Sequence, residues 1–142
     1  MATNEFPYPV PEYGAEAYWA ACNERRLVMQ RCRACGRYRW QPAPICPDCQ
    51  AAAHEWSTLS GRGRIYSWTV IAHPVHPAAV ARVPYVVVEV ELDEQPGLRL
   101  IANLVDGAAA DIAIDAPVEV CFEQHRNGQW LPMFRFRSTS SP

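Results

Sequence analysis

The chain has 142 residues, 49% of them apolar, and a formal net charge of −2, which suits one ordinary domain or a small domain with an appendage. No apolar run approaches the roughly 20 residues of a membrane-spanning helix. The first residues also lack the basic start and apolar middle of a signal peptide. We therefore expect a soluble cytoplasmic protein whose cysteines stay reduced.

The arginines are unevenly distributed. All 13 basic residues are arginine, and six of them lie within residues 25–47, which contain no acidic residue. Residues 85–123, in contrast, contain nine acidic residues and a single arginine. Two interpretations stay open. The arginines either balance the negative charge of metal-bound thiolates or form a site for an anion such as phosphate.

Residues 1–27 predict an extended tail followed by a helix. Alternating prolines in residues 1–12 exclude a helix there and favour an extended conformation, usually disordered when free. The predicted helix, residues 14–27, carries Ala15, Tyr18, Trp19 and Cys22 on one face. That face packs either on the chain's own core, which we favour, or on another subunit. Cys22 is predicted to be a small core residue and not a metal ligand, because it lies on this face.

Residues 28–56 are predicted to form a metal-binding ribbon. The spacing Cys32-x2-Cys35-x10-Cys46-x2-Cys49 allows each Cys-x-x-Cys pair to bind one side of a tetrahedral metal ion. Gly36 follows the second cysteine, where such a turn often needs a positive φ. Zinc is the metal that we predict. Iron in a rubredoxin-like site and two disulfides are the alternatives.

Residues 57–138 predict a barrel, so that the whole chain is mainly β. Apolar and polar residues alternate from Gly61 onward, as in strands with one buried and one exposed face. The pair Asn127-Gly128 predicts a hairpin turn between the last two strands. Five strands of this length predict a small closed barrel with the OB-fold as the leading candidate. A disordered tail is predicted for residues 139–142. The predicted strands are 63–73, 85–93, 98–105, 117–124 and 130–137.

Two features of the predicted barrel bear on binding. Strict alternation in its first strand places Ile65 on one face and Tyr66, Trp68 and Val70 on the other. The long, proline-rich loop that follows this strand contains Arg82. In an OB-fold this loop commonly borders the binding face.

The residues predict no catalytic constellation. The sequence contains no nucleophile-elbow, nucleotide-binding or metalloprotease motif. Four thiolates would close the metal site and leave no open position for water or substrate. Cys121 lies between Glu119 and Glu123, whose carboxylates raise the pKa of a neighbouring thiol and disfavour thiolate chemistry. We therefore predict a binding or accessory protein rather than a self-sufficient enzyme.

Several segments together carry a family resemblance. They are the Tyr18-Trp19 helix, the RCRACG and CPDC turns, EWSTLSGRGRIYSWTVIAH, VPYVVVEVELDE, the Asn103-Leu104 strand and APVEVCFE. This combination resembles the domain of unknown function thirty-five family, a rubredoxin-like zinc ribbon followed by an OB-fold. The resemblance covers almost the whole chain. Residues 114–117 depart from it, because the family more often has a glycine-containing turn there.

The resemblance implies a non-catalytic partner of thiolase-superfamily acyl-CoA enzymes, which include thiolases, acyltransferases and steroid side-chain retro-aldolases. The other subunit would carry the catalytic residues, and its dimeric core would favour a two-plus-two heterotetramer. A CoA ester would bind in the complex, with its phosphates near arginines. The candidate CoA or partner contacts are Arg37, Arg39, Trp40, Tyr18, Trp19 and Arg82.

Two other functions stay open at this point. A nucleic-acid-binding OB-fold would need a basic stripe, whereas the predicted barrel strands carry mostly acidic residues. A rubredoxin-like electron carrier would hold iron in the ribbon.

Overall fold

The computed structural model describes residues 5–138, and it confirms a mainly β chain with one N-terminal helix, a cysteine ribbon and a closed five-stranded barrel. Residues 1–4 of the predicted tail and the tail predicted for residues 139–142 lie outside the described residues. The elements are α1 Glu16–Asn23, β1 Val28–Cys32, β2 Tyr38–Arg39, β3 His54–Thr58, β4 Arg62–Ile71, β5 Tyr85–Leu92, β6 Arg99–Leu104, β7 Pro117–Gln124 and β8 Trp130–Phe136.

Helix α1 is shorter than predicted because a Schellman turn ends it. The N–H of Arg25 donates to the carbonyl of Cys22 (2.9 Å), and the N–H of Arg26 donates to that of Ala21 (3.0 Å). Arg25 takes the left-handed conformation that this turn requires, with φ +56. The two arginines therefore lie beyond the helix, not within its last turn.

The apolar face of α1 packs on the chain's own core, as we favoured. Tyr18 and Cys22 are buried in the main core cluster. Polar groups fix the helix to the hairpin between β7 and β8. The Oδ1 of Asn23 accepts from the N–H of Trp130 (3.0 Å), and the Nε2 of Gln129 donates to the carbonyl of Trp19 (3.1 Å).

The ribbon is a three-stranded antiparallel sheet with β1 in the centre, between β2 and β3. Strand β3 was not predicted as a separate element. It pairs with β1 along its whole length, from Val28 opposite Thr58 to Cys32 opposite His54. The predicted division of the chain near residue 56 lies inside this strand and stays a prediction.

The barrel closes in the order β4-β5-β6-β8-β7. Strand β5 alternates regularly between buried and half-buried residues, as predicted. Closure between β6 and β8 depends on one parallel bridge, in which Leu104 lies opposite Phe134. The rest of this seam is open, and helix α1 and the ribbon lie beside it.

Strand β4 departs from the predicted alternation. Its register shifts between Ile65 and Ser67, so Tyr66 is an extra residue in a β-bulge. Beyond the bulge, Trp68 pairs with Val88, which belongs to the buried row of β5. The prediction that Ile65 and Trp68 face opposite sides is wrong, because one inserted residue reverses the alternation of all side chains after it.

Replacing Asp115 with glycine is expected to stabilise the fold by about 0.5–1 kcal/mol. Asp115 has φ +68 in the turn before β7, and a left-handed conformation costs a residue with a Cβ about 1–2 kcal/mol. Its N–H donates to the carbonyl of Ile65 (2.8 Å), a bond that glycine keeps. Thermal unfolding midpoints measure the effect. Ile114→Gly is the control and should lower the midpoint, and a lower midpoint for Asp115→Gly would contradict the expectation.

Candidate metal centre and adjoining surfaces

The two Cys-x-x-Cys pairs form turns of the same geometry. In each turn, the N–H of the residue after the second cysteine donates to the carbonyl of the first cysteine. Gly36 donates to Cys32 (3.0 Å), and Gln50 donates to Cys46 (2.9 Å). The positive φ expected for Gly36 is confirmed at +77, and Gln50 adopts +66 at the equivalent position.

These turns bring the four thiols into one cluster. The Sγ of Cys32 lies 3.5 Å from that of Cys49, and the Sγ of Cys35 lies 3.6 Å from that of Cys46. All four sulfur atoms are within 4.8 Å of one another. A tetrahedral site with metal–sulfur distances of about 2.3 Å has sulfur–sulfur distances of about 3.8 Å. The observed distances therefore fit a tetrahedral metal ion. All four cysteines are free thiols, so the two disulfides considered as an alternative are not formed.

The backbone lowers the pKa of the first cysteine in each pair. The N–H of Cys35, 3.5 Å from the Sγ of Cys32, lowers the pKa of Cys32 to about 6. The N–H of Cys49 likewise lowers the pKa of Cys46. A lower pKa favours the thiolate, which is the form that binds metal.

The exposed arginines near this centre are engaged within the ribbon. The Nε of Arg37 lies 3.0 Å from the Oδ2 of Asp48, an ion pair that joins the two cysteine turns. The Nε of Arg31 donates to the carbonyl of Gly36 (2.9 Å), and its guanidinium lies over the ring of Tyr38. The partners of these arginines are the chain's own groups. Contact between Arg37 and a CoA ester stays a prediction.

Arg39 is buried, with 7% of its surface exposed. Its Nε donates to the Oε1 of Gln30 (2.7 Å), and its Nη2 donates to the carbonyl of Ala43 (2.8 Å). Gln30 also accepts from the N–H of Ala43 (2.9 Å). Arg39 thus ties the ribbon sheet to the loop between the cysteine pairs, and it can act on a ligand there only after rearrangement.

Three of the predicted contact residues form one aromatic cluster. Tyr18 is buried between Trp19 and Trp40, with ring centroids 5.0 and 4.3 Å away. Burial raises the pKa of Tyr18, so its phenol stays neutral. The cluster forms one wall of a cavity of about 470 Å³ at the open β6–β8 seam. Its other walls are mainly apolar residues from two ranges, 100–103 and 131–133.

Arg82 lies apart from this cluster. Its guanidinium lies 4.5 Å from the ring centroid of Phe6, and it lines a second cavity of about 250 Å³ together with His125 and Arg126. Neither of these arginines forms an ion pair with a carboxylate within residues 5–138. The structure therefore brings Tyr18, Trp19 and Trp40 together and places Arg82 elsewhere.

Sequence reasoning missed the amide side chains that join the ribbon to the barrel. Gln95 accepts from the N–H of Tyr38 (2.9 Å) and donates to its carbonyl (3.0 Å), so it caps the outer edge of β2. Two further bridges were missed: Gln30 joins the ribbon sheet to the loop between the cysteine pairs, and Asn23 and Gln129 join α1 to the β7–β8 hairpin. Single amide residues have no spacing that distinguishes them from other polar residues in a sequence.

The remaining cysteines do not form a second reactive site. Burial raises the pKa of Cys22 to about 12. Burial also raises the pKa of Cys121, so the predicted direction is right, although the neighbouring carboxylates contribute less than burial. In the part of the chain that the structure describes, the four ribbon cysteines are the one group of His, Cys, Asp or Glu placed to hold a metal ion. No helix of that part is long and apolar enough to cross a membrane.

Known families match both parts of the chain. A family described as the rubredoxin-like zinc ribbon domain of ChsH2 matches residues 19–55, and one described as the C-terminal OB-fold domain of ChsH2 matches residues 56–123. A solved structure described as Ltp2-ChsH2(DUF35) aldolase is 39% identical, with a TM-score of 0.82. The match covers 91% of this chain and 98% of that one.

Two relatives add to this comparison. A probable enoyl-CoA hydratase alpha subunit from Thermomonospora curvata is 43% identical over 122 residues, 84% of this chain. The chain spans only 36% of that subunit's length. The benzoylsuccinyl-CoA thiolase subunit BbsA of Thauera aromatica is 30% identical over 110 residues, 75% of this chain and 72% of that subunit. With its cysteine ribbon, its barrel and these matches, the chain belongs to the DUF35 family and has the zinc ribbon and OB-fold domains of ChsH2.

Proposed function

We propose that this chain is a non-catalytic accessory subunit that binds and supports a thiolase-superfamily acyl-CoA enzyme. The observation that carries the proposal is the match over 98% of a chain from the Ltp2-ChsH2(DUF35) aldolase. The relation to a benzoylsuccinyl-CoA thiolase subunit supports the same class of partner. A centre of four cysteines, without an open ligand position, supports a structural and not a chemical role for the metal.

We propose zinc as the metal, held by Cys32, Cys35, Cys46 and Cys49. Four thiolates in a closed tetrahedral site are typical of structural zinc, whose binding contributes to folding. Iron would fit the same ligands and would make the protein red. Metal-bound thiols stay reduced in the cytoplasm, where we place the complex.

We propose that the complex also binds a CoA ester, and that the accessible candidates make the contacts. Trp19 and Trp40 flank a mainly apolar cavity of about 470 Å³, which suits an uncharged part of a ligand. Arg82 lies beside Arg126 and suits an anionic part. Tyr18, Arg37 and Arg39 are buried or paired and would act by holding these surfaces in place.

Native mass spectrometry of the tagged chain purified from its own cells tests the function. We expect a heteromer with a thiolase-sized subunit, in a two-plus-two ratio because a dimeric core offers two equivalent positions. One metal ion per small subunit should be retained, and the tag alone is the control bait. A metal-loaded chain without a partner over a range of salt concentrations would contradict the proposal. Salt-sensitive retention on single-stranded DNA or RNA would favour the nucleic-acid alternative.

A further inference from the structure

Two strand edges in this structure are protected against pairing with another chain. Strand β2 has only two residues, and Gln95 caps its outer edge at Tyr38. Strand β8 carries Pro132, which has no N–H to donate, on the side that faces the β6–β8 seam. Natural proteins commonly shorten, cap or interrupt exposed edges in these ways.

The distal half of β4 lacks such protection. Strand β7 pairs with β4 only at residues 62–64. The turn before β7 extends this pairing to Ile65, whose N–H donates to the carbonyl of Ala116 (3.0 Å) and whose carbonyl accepts from Asp115 (2.8 Å). No segment of the described chain pairs with residues 66–71 on this side. Residues 66–70 are all exposed.

Two apolar side chains of this edge continue the row of the barrel core past the residues at which β4 pairs with β7. Trp68 and Val70 pair with Val88 and Val86, which are 0% and 8% exposed. Trp68 and Val70 themselves are 39% and 42% exposed. An apolar row that leaves the core and stays uncovered is typical of an interaction surface.

The backbone of this edge is directed outward at the same residues. The N–H of Leu92 donates to Leu98, toward β6, and alternate residues of an antiparallel strand point their backbone groups the same way. The backbone N–H and C=O groups of Val88 and Val86 therefore also point toward β6. Those of their partners, Trp68 and Val70, point away from β5. Residues 65–75 contain no acidic or basic residue besides His73.

We propose that the distal half of β4, from Tyr66 to Ile71, is the surface on which the partner enzyme docks. The occupant is an extended, apolar segment of the thiolase-like subunit, which adds a strand next to Trp68 and Val70. This inference rests on the proposed function and names the part of the chain that contacts the partner. Residues 66–71 carry no charge, and the one guanidinium over this edge, that of Arg99 on the ring of Tyr66, is paired with Glu89 and Glu91, so the edge does not suit nucleic-acid phosphates.

Two substitutions separate docking from folding. Val70→Pro removes an N–H that points away from β5, so the β4–β5 ladder keeps its hydrogen bonds. Trp68→Lys replaces the largest exposed side chain with a charge. Ile45→Lys is the matched control, since Ile45 is a similarly exposed apolar residue (54%) in the ribbon and lines neither cavity proposed for the ligand.

The experiment measures binding of each variant to the thiolase-like subunit that co-purifies with the natural chain. We expect Trp68→Lys and Val70→Pro to weaken binding by ~30-fold or more, as for buried anchor residues, and Ile45→Lys by less than about threefold. Amide hydrogen exchange of residues 66–71 should slow in the complex. Unchanged metal content and circular dichroism show that a variant is folded, and if Val70→Pro fails this check, Trp68→Lys decides.

Three results would overturn the inference. Unchanged affinity of the folded variants, with protection in the ribbon instead, would move the contact and leave the proposed function intact. A dimer of the free chain that Trp68→Lys dissociates would make a second copy the occupant. Absence of any thiolase-like subunit from the purified material would remove the inference together with the proposed function.

Discussion

Replacing Cys46 with serine is expected to remove the bound metal and unfold the ribbon, while the barrel stays folded. Cys46 is 1% exposed, and its Sγ lies 3.6 Å from that of Cys35 within the four-sulfur cluster. A segment as short as residues 28–58 buries too little apolar surface to fold alone. Structural zinc contributes an apparent 10–16 kcal/mol, as an order of magnitude, to the folding of zinc-finger peptides.

Metal analysis and amide hydrogen exchange check this expectation. Metal content should fall from about one ion per chain to none, and the amides of β1 to β3 should lose protection while those of β5 keep it. Cys121→Ser is the matched control, because Cys121 lies on β7 outside the cluster, and it should retain the metal. A Cys46→Ser protein with a full metal complement and a protected ribbon would refute the assignment of this cysteine as a ligand.

The barrel strands could be predicted because each has one buried face. Strand β7 was predicted with the bounds that it has, and the predicted alternation is present in β5, where buried and half-buried residues alternate. Period-two alternation is a direct consequence of the pleat, so it is visible in the sequence wherever a strand borders the core on one side. The cysteine cluster was predictable for a similar reason, since its ligands lie in two short local motifs.

Three features of the fold depend on contacts that no local pattern shows. The bulge at Tyr66 inserts one residue without changing the alternating composition around it. Arg25 ends the helix in a left-handed conformation that usually favours glycine. Strand β3 is recognised by its pairing with β1, which is distant in sequence.

The surroundings of the metal centre were less predictable than its ligands. The window of arginines without acids left open whether these arginines balance the thiolates or bind an anion, whereas Arg37 pairs with Asp48, one residue beyond that window. Arg39 is enclosed between Gln30 and the carbonyl of Ala43. Which arginines stay available to an anion is decided by tertiary contacts and not by local charge density.

Replacing Phe134 with alanine is expected to cost about 3–5 kcal/mol of folding free energy, the range for a large aromatic side chain removed from a packed core. Phe134 is fully buried on β8. It also lies at the one bridge that closes the barrel, where its carbonyl accepts from the N–H of Val105 (2.8 Å). Domains of this kind are stable by about 5–15 kcal/mol, so this loss is a large fraction of the total.

Urea unfolding of the metal-loaded chain measures the loss as a shift of the midpoint at an unchanged slope. Trp68→Ala is the control, because it removes an even larger aromatic residue from the same barrel at a position that is 39% exposed. We expect a smaller cost, about 2 kcal/mol, since water already contacts part of that side chain. Similar losses of folding free energy for the two variants would contradict the distinction between the buried position of Phe134 and the partly exposed position of Trp68 on β4. They would also weaken the case that Trp68 is held in place for a partner.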